Sequence, residues 1–218
     1  MQNLIQQHAA NLFVGAECQN QGTVAYEAVA DALHAGATVC LLAETKGDVE
    51  VFRSHLTLWL RAREHNPDHI KRVVGLPDYR QWHTAETLAP QILKACQGRY
   101  ETKEAAQAKE IVVFLDKASE MLPTYPGDHR LGVCADLPDC LPTATVIVSA
   151  HHGPEAMPAP PLATYRADRV YRVQSSGVAM NITITPINPP GDRIRLKGSI
   201  RSGGIVCIDQ EETENVGH

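Results

Sequence analysis

KEIVVFLD, at residues 109–116, decides the fold, because an unbroken apolar run ends there on a single carboxylate. From Ile111 to Leu115 no alternate position is polar, so the pattern indicates a strand buried on both faces of a parallel sheet. Asp116 would then emerge at the carboxyl end of the sheet, where open α/β sheets bind their ligands. A second interpretation of Asp116 is the cap of a short helix that begins in the following KASEML.

Similar apolar runs recur earlier and later in the chain. They are NLFVG at residues 11–15, ATVCLLA at 37–43 and TATVIVSA at 143–150. Helices are predicted between the strands, at residues 23–34, 48–64, 84–96 and 130–141. Pro138 is expected to interrupt the last of these helices. Such alternation of β and α predicts a mainly parallel sheet with helices on both faces.

The pattern changes after residue 165. DRVYRVQ, VAMNITIT and RIRLKG alternate polar with apolar residues, and NPPGD between the last two is a turn, so antiparallel strands are predicted there. The final segment, DQEETENVGH, is acidic and lacks apolar spacing. We therefore predict a single domain over residues 1–200 and an acidic, flexible tail over residues 201–218.

The composition favours a cytoplasmic protein that is not embedded in a membrane. No window carries the long uncharged apolar run of a membrane span, and the first residues lack the basic start and apolar core of a secretion signal. The six cysteines contain no C-x-x-C pair, which favours reduced thiols over a disulfide framework. No metal is expected, because the spacings among His129, Cys134, Cys140, His151 and His152 match no zinc signature.

The charge is unevenly distributed, although the formal net charge of −5 argues against a protein coated in nucleic acid. One segment near the C-terminal end is basic and contains only Asp168 and Asp192 as acids. Its basic residues are Arg166, Arg169, Arg172, Arg193, Arg195, Lys197 and Arg201. Two interpretations remain open, a solvated sheet face and a contact for nucleic acid.

Polar groups follow four of the predicted strands. They are the loop GAECQNQGT at residues 15–23, then Glu44, Asp116 and the pair His151 and His152. A parallel sheet gathers the carboxyl ends of its strands along one edge, so these groups should converge.

This order of elements resembles the RecA-like P-loop NTPases, and most closely the DnaB-type and RepA-type hexameric replicative helicases. The resemblance covers about residues 11–196, with TVIVSAHHG as its most telling motif. It implies a RecA-like α/β fold with a C-terminal antiparallel extension. It also implies catalytic roles for Glu44 after the second strand, for Asp116 as the Walker B residue, and for His151 and His152 as a polar sensor.

The phosphate-binding loop departs from the family pattern G-x-x-x-x-G-K-[ST]. Aligned from Gly15, the chain has Asn20 for the second glycine, Gln21 for the lysine and Gly22 for the hydroxyl residue, while Thr23 comes one place late. A neutral Gln can donate to a phosphate but cannot supply the charge that stabilises phosphoryl transfer. These five positions therefore predict a degenerate Walker A site with no cofactor, or with weak binding of ATP or another nucleotide with Mg²⁺.

Each polar group also has a structural interpretation. Glu44 could be only a cap or first-turn acid of the helix that begins near Gly47, and the two histidines could be only hydrogen-bonded structural groups. Three functions follow from these alternatives. The first is a pseudo-ATPase that assembles with itself or with an active RecA-like partner as a structural or regulatory subunit. The others are an active DNA-dependent ATPase of the helicase type and a binding module for a nucleotide-like ligand.

Overall fold

The computed structural model of the chain describes residues 4–16, 21–97, 110–116, 130–152, 167–176, 181–201 and 206–214. Within these residues the backbone forms nine β-strands and four α-helices. The strands are β1 Ala10–Ala16, β2 Thr38–Leu42, β3 Val73–Leu76, β4 Ile111–Leu115, β5 Ala144–His152, β6 Arg169–Ser176, β7 Asn181–Asn188, β8 Arg193–Ile200 and β9 Val206–Glu214. The helices are α1 Gln21–Ala35, α2 Lys46–Ala62, α3 Ala85–Gln97 and α4 Arg130–Cys140.

The described strands form one sheet in the order β3-β2-β4-β5-β1-β6-β7-β8-β9. Every pair from β3 across to β6 is parallel, and every pair from β6 to β9 is antiparallel. The predicted α/β fold, a mainly parallel sheet with a C-terminal antiparallel extension, is therefore confirmed.

Two layers of helices cover the parallel part of the sheet. Helices α1 and α2 pack on one face, where Phe114 of β4 joins their apolar core, and α3 and α4 pack on the other face with Leu115. Successive strand residues point to opposite faces, so a strand covered on both sides must be apolar throughout. All five residues of β4 are buried, which explains why its sequence lacks polar alternation.

Helix α1 is enclosed on nearly every side. It contacts β1 and β5 of the parallel region and also β9 at the far edge of the sheet. Its buried residues are Val24, Ala25, Glu27, Ala28, Val29, Ala30 and Leu33. The helix ends at Ala35, and Gly36 follows with a φ of +109° that only glycine adopts at little cost, while the N–H of Gly36 donates to the carbonyl of Leu33.

The C-terminal segment differs from the flexible tail predicted for residues 201–218, because residues 206–214 form β9. Cys207 and Ile208 are buried, and β9 pairs along its length with β8. The antiparallel register places Glu212 opposite Arg195 and Glu214 opposite Arg193. The acidic sequence of residues 206–214 therefore belongs to a strand paired with β8 and not to a tail.

The prediction that Pro138 interrupts its helix is wrong. Helix α4 runs continuously from Arg130 to Cys140 with Pro138 in its last turn. The missing N–H costs one backbone hydrogen bond, but the helix continues because Leu137 is fully buried and accepts a bond from the N–H of Leu141 at 2.8 Å.

Candidate functional site

The carboxyl ends of β2, β4, β5 and β1 lie side by side along one edge of the sheet, as predicted. Gly15 of β1 is level with His151 of β5, and the pairing of Leu115 with Val148 brings Asp116 level with Ser149. This edge therefore gathers the end of β1, the last residues of β5 and the residues that follow β2 and β4.

Asp116 is held by two hydroxyl groups that the sequence did not single out. Ser149 on the adjacent strand donates from Oγ to Oδ1 of Asp116 at 2.6 Å. Tyr26 on α1 donates from its phenol to Oδ2 at 3.3 Å. Because Ser149 is buried and Asp116 is half-buried, these bonds lie where water competes weakly and each contributes more than at a surface.

An aromatic cluster fixes the ring of Tyr26. Phe52 and Trp59 of α2 lie with ring centroids 5.3 Å from that of Tyr26, and Phe114 of β4 meets it edge-on at 5.6 Å. Burial raises the pKa of the Tyr26 phenol, and the charge and hydrogen bond of Asp116 raise it further. The phenol therefore stays protonated and remains a hydrogen-bond donor to Asp116 at all physiological pH values.

The start of α1 keeps the position of a phosphate loop but not its residues. Gln21 is the first residue of α1, with Gly22 and Thr23 in the first turn, and this turn contains no acid. A helix N-terminus presents unpaired N–H groups and a partial positive charge, which suit an anion. Asn20 and the side chain of Gln21 lie outside the described residues. A Cβ on Gly22 would meet nothing within 4 Å, so sterics do not explain the absence of a hydroxyl residue there.

Glu44 lies after β2 and is not the cap of α2. The N-cap is Thr45, whose hydroxyl accepts from the N–H of Asp48 at 3.2 Å, while Asp48 accepts from the N–H of Thr45 at 2.8 Å. This reciprocal capping box supplies both the cap and the first-turn acid of α2. The interpretation of Glu44 as the cap or first-turn acid of α2 is therefore wrong, and the residue is half-buried after the end of β2.

Two further expectations fall outside what the structure describes. His151 and His152 are the last two residues of β5, but the description covers only their backbone. The KASEML segment that Asp116 could cap also lies outside the described residues.

The basic residues near the C-terminal end do not form one uninterrupted surface. Arg193, Arg195 and Lys197 are exposed at alternate positions of β8, where β9 sets Glu214, Glu212 and Gln210 opposite them. Two other arginines have polar neighbours: Arg169 donates to Gln6, and Arg201 pairs with Asp209 at 2.6 Å. Arg172 is exposed on β6, and Arg166 lies outside the described residues.

The described residues show neither a metal cluster nor a membrane span. No group of three or more His, Cys, Asp or Glu side chains among them could hold a metal ion. None of their helices combines the length and apolar character needed to cross a bilayer. Five of the six cysteines fall in the described part as free thiols, and Cys18 lies outside it.

Comparison with solved structures identifies the fold. The flagellar accessory protein FlaH from Methanocaldococcus jannaschii superposes with a TM-score of 0.54 at 12% identity, covering 94% of this chain and 91% of that one. A DnaB-like replicative helicase, solved to show its interactions with primase, gives a TM-score of 0.58 at 11% identity over 91% of this chain. The chain has a RecA-like P-loop NTPase fold.

A third structure with the same RecA-like architecture is an uncharacterized protein from Pyrococcus horikoshii in complex with an unknown peptide. It gives a TM-score of 0.55 at 14% identity, covering 95% of this chain and 94% of that one. The chain spans only 58% of the DnaB-like helicase. Neither protein-family models nor curated protein sequences give a significant match. At these identities the resemblance concerns the fold alone.

Proposed function

We propose that this RecA-like domain is a pseudo-ATPase that serves as a structural or regulatory subunit of an oligomeric assembly, either with itself or with an active RecA-like partner. The observation that carries the proposal is the state of Asp116. Its two carboxylate oxygens accept hydrogen bonds from the hydroxyl groups of Ser149 and Tyr26, while the sequence has Gln21 at the position of the lysine of a working site.

A Mg²⁺-bound nucleotide, which the fold implies, does not fit this donor set. A Walker B carboxylate gives lone pairs to the metal or to its water shell, and the hydroxyl groups of Ser149 and Tyr26 occupy one lone pair on each oxygen of Asp116. Here Tyr26 is fixed by an aromatic cluster and cannot easily turn away from Oδ2 of Asp116. The residues that would cradle the phosphates are altered as well, with Asn20 and Gln21 in place of glycine and lysine.

The magnitude of these losses supports a domain without helicase-like turnover. Removing one preorganised donor from a transition state typically costs about a hundredfold or more in rate. This chain changes the lysine, the hydroxyl position and a loop glycine together, at Gln21, Gly22 and Asn20. Glu44 and Asp116 would remain as acids without the positive cradle, so they do not restore the chemistry.

Assembly is a function that the domain can keep after these losses, because the folding of the buried sheet and its surfaces does not depend on the phosphate-loop residues. In each outer strand, one backbone carbonyl accepts a hydrogen bond from an arginine side chain. Arg53 donates to the carbonyl of Val73 in β3 at 2.8 Å. Arg63 donates to the carbonyl of Ile208 in β9, also at 2.8 Å. Each bond occupies one acceptor of an outer strand and so disfavours sheet extension at that point, and we expect contacts through helices or loops. Among the proteins of this fold, the DnaB-like helicase interacts with primase and the Pyrococcus horikoshii protein was solved in complex with an unknown peptide.

The deciding experiment measures ATP turnover with and without single-stranded DNA, together with mass by size-exclusion chromatography and light scattering. We expect turnover below about one per second and a defined oligomer or a complex with a RecA-like partner. Gln21→Ala should leave the assembly unchanged, and Gln21→Lys alone should not create substantial activity. Faster turnover that Asp116→Ala abolishes would instead establish an active DNA-dependent ATPase.

A thermal-shift panel of nucleotides tests the remaining alternative, a binding module for a nucleotide-like ligand. The start of α1 favours this alternative, because the partial positive charge of a helix N-terminus and the open space at Gly22 suit a weakly held phosphate. A ligand that binds only the folded chain must raise the unfolding temperature. A concentration-dependent rise without turnover would place the domain among nucleotide-binding modules.

A further inference from the structure

Helix α2 has a partly apolar outer face. Among the described residues, three large apolar side chains are exposed: Val51 at 56%, Leu58 at 39% and Ile200 of β8 at 64%. Two of the three therefore lie on one helix. Val51 and Leu58 are about two helical turns apart, so they project from the same face. Single exposed apolar residues are ordinary, whereas a pair at helical spacing forms a surface on which another helix can pack.

The opposite face of α2 is fixed to its own domain. Its buried residues belong to the apolar core that α2 shares with α1 and β3: Val49, Phe52, Leu56, Trp59 and Leu60. The capping box at Thr45 also satisfies the first turn of the helix. The outer face is therefore a preformed surface, and a partner that docks on it orders no further backbone.

The sequence of this outer face is self-complementary when two copies of α2 lie antiparallel. A two-fold axis between Ser54 and His55 places Val51 of one copy opposite Leu58 of the second copy, because both lie equally far from the axis along the helix. Apolar residues then face apolar residues, while the polar Ser54 and His55 lie at the centre. A two-fold contact uses the same surface of both copies, so it requires a surface of this kind.

Small residues lie at the two ends of the outer face. The same axis brings Gly47 of one copy level with Ala62 of the second copy. Gly47 is exposed and Ala62 is half-buried. The distance between packed helices is about 8–10 Å and depends on the side chains at the contact, so small residues at both ends allow a close approach.

Charges beside the apolar pair are complementary as well. Glu50 and Arg61 are both exposed, and on a helical projection they lie on the same flank of the outer face. Their distances from the axis differ by about 3 Å along the helix. Glu50 of each copy is therefore within reach of Arg61 of the other, and the axis forms this ion pair twice. Glu50 also pairs with Arg53 of its own helix at 3.2 Å, which leaves acceptor sites on the carboxylate for a second donor.

We propose that the outer face of α2 binds the same face of a second copy of this chain and forms an antiparallel two-fold dimer. The inference rests on the proposed function, because it names the surface through which the domain assembles with itself. One helix pair buries less than the roughly 1,200–2,000 Å² of a standard interface. We therefore expect a dissociation constant above about 1 μM and a monomer at lower concentrations.

Sedimentation equilibrium of the full chain at roughly 5–500 μM measures this association. Leu58→Asp places a carboxylate opposite Val51 of the second copy, so it should raise the dissociation constant by about tenfold or more. Ile200→Asp is the matched control. It changes the exposed apolar side chain that lies on β8, away from α2, and it should leave the dissociation constant unchanged.

Charge reversal tests the antiparallel register. Glu50→Arg and Arg61→Glu each bring like charges together across the axis and should weaken the dimer roughly three- to tenfold. The double variant restores opposite charges and should return the dissociation constant to near the wild-type value. This comparison decides the matter even if Leu58→Asp does not fold. Two weakened single variants without recovery in the double variant would overturn the proposal.

The remaining outcomes separate this inference from the proposed function. An oligomer that Leu58→Asp leaves unchanged would overturn the α2 contact but not self-assembly through another surface. A chain that stays monomeric at every concentration would also overturn it, and the pseudo-ATPase proposal would then require a complex with a RecA-like partner. Loss of such a complex in Leu58→Asp would show that this face binds a different protein. Fast ATP turnover by a chain with an intact α2 dimer would contradict the proposed function alone.

Discussion

Glu27 of α1 accepts a hydrogen bond from the backbone N–H of Ile208 at 2.7 Å, across 181 residues of chain. The side chain of Glu27 is fully buried, and its other oxygen lies 3.3 Å from Nε of Arg63. Arg63 in turn donates to the carbonyl of Ile208 at 2.8 Å. The ion pair of Glu27 and Arg63 thus bonds both the N–H and the carbonyl of Ile208, as a neighbouring strand would, and it connects β9 to the helices.

Removing this anchor should destabilise the fold. Glu27→Ala leaves the Ile208 N–H and Arg63 without their buried partner, so we expect the free energy of unfolding to fall by about 2–4 kcal/mol. Glu27→Gln keeps an acceptor for the N–H and should cost clearly less. Urea denaturation measures both changes, and amide hydrogen exchange should accelerate at Ile208 in the Ala variant. Equal losses in the two variants would show that the acceptor is unimportant.

The charge of Glu27 makes this anchor dependent on pH. Burial raises the pKa of Glu27, and the Ile208 N–H and Arg63 oppose that rise only in part. A group whose pKa is higher in the folded chain stabilises it fully below the unfolded pKa and loses that contribution as the pH rises through the folded pKa. Wild type should therefore lose stability relative to Glu27→Gln as the pH rises above the ordinary Glu value of 4.5. Urea midpoints of both proteins across this range measure the difference, which a constant gap would contradict.

A histidine cluster beside the anchor predicts the opposite pH dependence. His34 stacks on His65 with ring centroids 4.0 Å apart, and His69 lies 5.9 Å from His34. Burial lowers the pKa of His65, the charges of His34 and Arg63 lower it further, and Asp31 partly opposes them. Burial also lowers the pKa of His69, the charges of Arg72 and His34 lower it further, and Asp68 partly opposes them. The neutral rings stabilise the fold above the ordinary value of 6.5, and this contribution is lost as the pH falls through the folded pKa values.

The variant that tests the histidine cluster is His65→Phe, which keeps an aromatic ring stacked against His34 but has no titratable group. We expect its unfolding temperature to fall less than that of wild type between about pH 7.5 and 5.5. His55→Phe, at an exposed position on α2, is the matched control and should retain the wild-type pH dependence. Identical pH profiles for His65→Phe and wild type would exclude the cluster as the source.

The fold could be predicted because its signals are local. The apolar run at residues 111–115 indicates a strand that is buried on both faces of the sheet. The residue that follows such a run lies at the carboxyl edge of the sheet. The strand β9 was missed because its acidic residues are explained only by β8, across a register that the sequence does not display. Glu27 was missed for the same reason, since its partners Arg63 and Ile208 are distant in the chain.

The candidate site was predictable in position but not in its contacts. Asp116 could be placed at a strand end, whereas the sequence analysis did not single out Tyr26. Ser149 carried one usable signal, because it precedes His151 by two residues and strand alternation sends both positions to one face. The approach of Tyr26 to Asp116 depends on how α1 packs on β4, which only the folded structure reveals.

A close approach between α2 and β3 gives a packing prediction. A Cβ on Gly75 would lie 2.4 Å from Cγ2 of Val49, whose short branched side chain has little freedom to move away. We expect Gly75→Ala to lower the free energy of unfolding by about 1–3 kcal/mol and Val49→Ala to recover part of this loss when combined with it. Gly22→Ala is the control, since open space surrounds that position and stability should not fall. Additive effects of the two changes would contradict the steric explanation.

The bond between Tyr26 and Asp116 gives the prediction closest to the proposed function. Tyr26→Phe keeps the aromatic cluster but removes a donor to a carboxylate, so we expect a loss of about 1–2 kcal/mol in the free energy of unfolding. In an Asp116→Asn background the same change should cost less, because the acceptor is then neutral. Tyr171→Phe is the matched control: its buried phenol donates to the neutral carbonyl of Leu4 at 2.6 Å, so its cost should be the same in both backgrounds. Urea denaturation of the two double-mutant cycles measures these couplings. A Tyr26→Phe cost that does not change with Asp116→Asn would mean that the phenol does not hold the carboxylate, and Asp116 would then remain available to a metal.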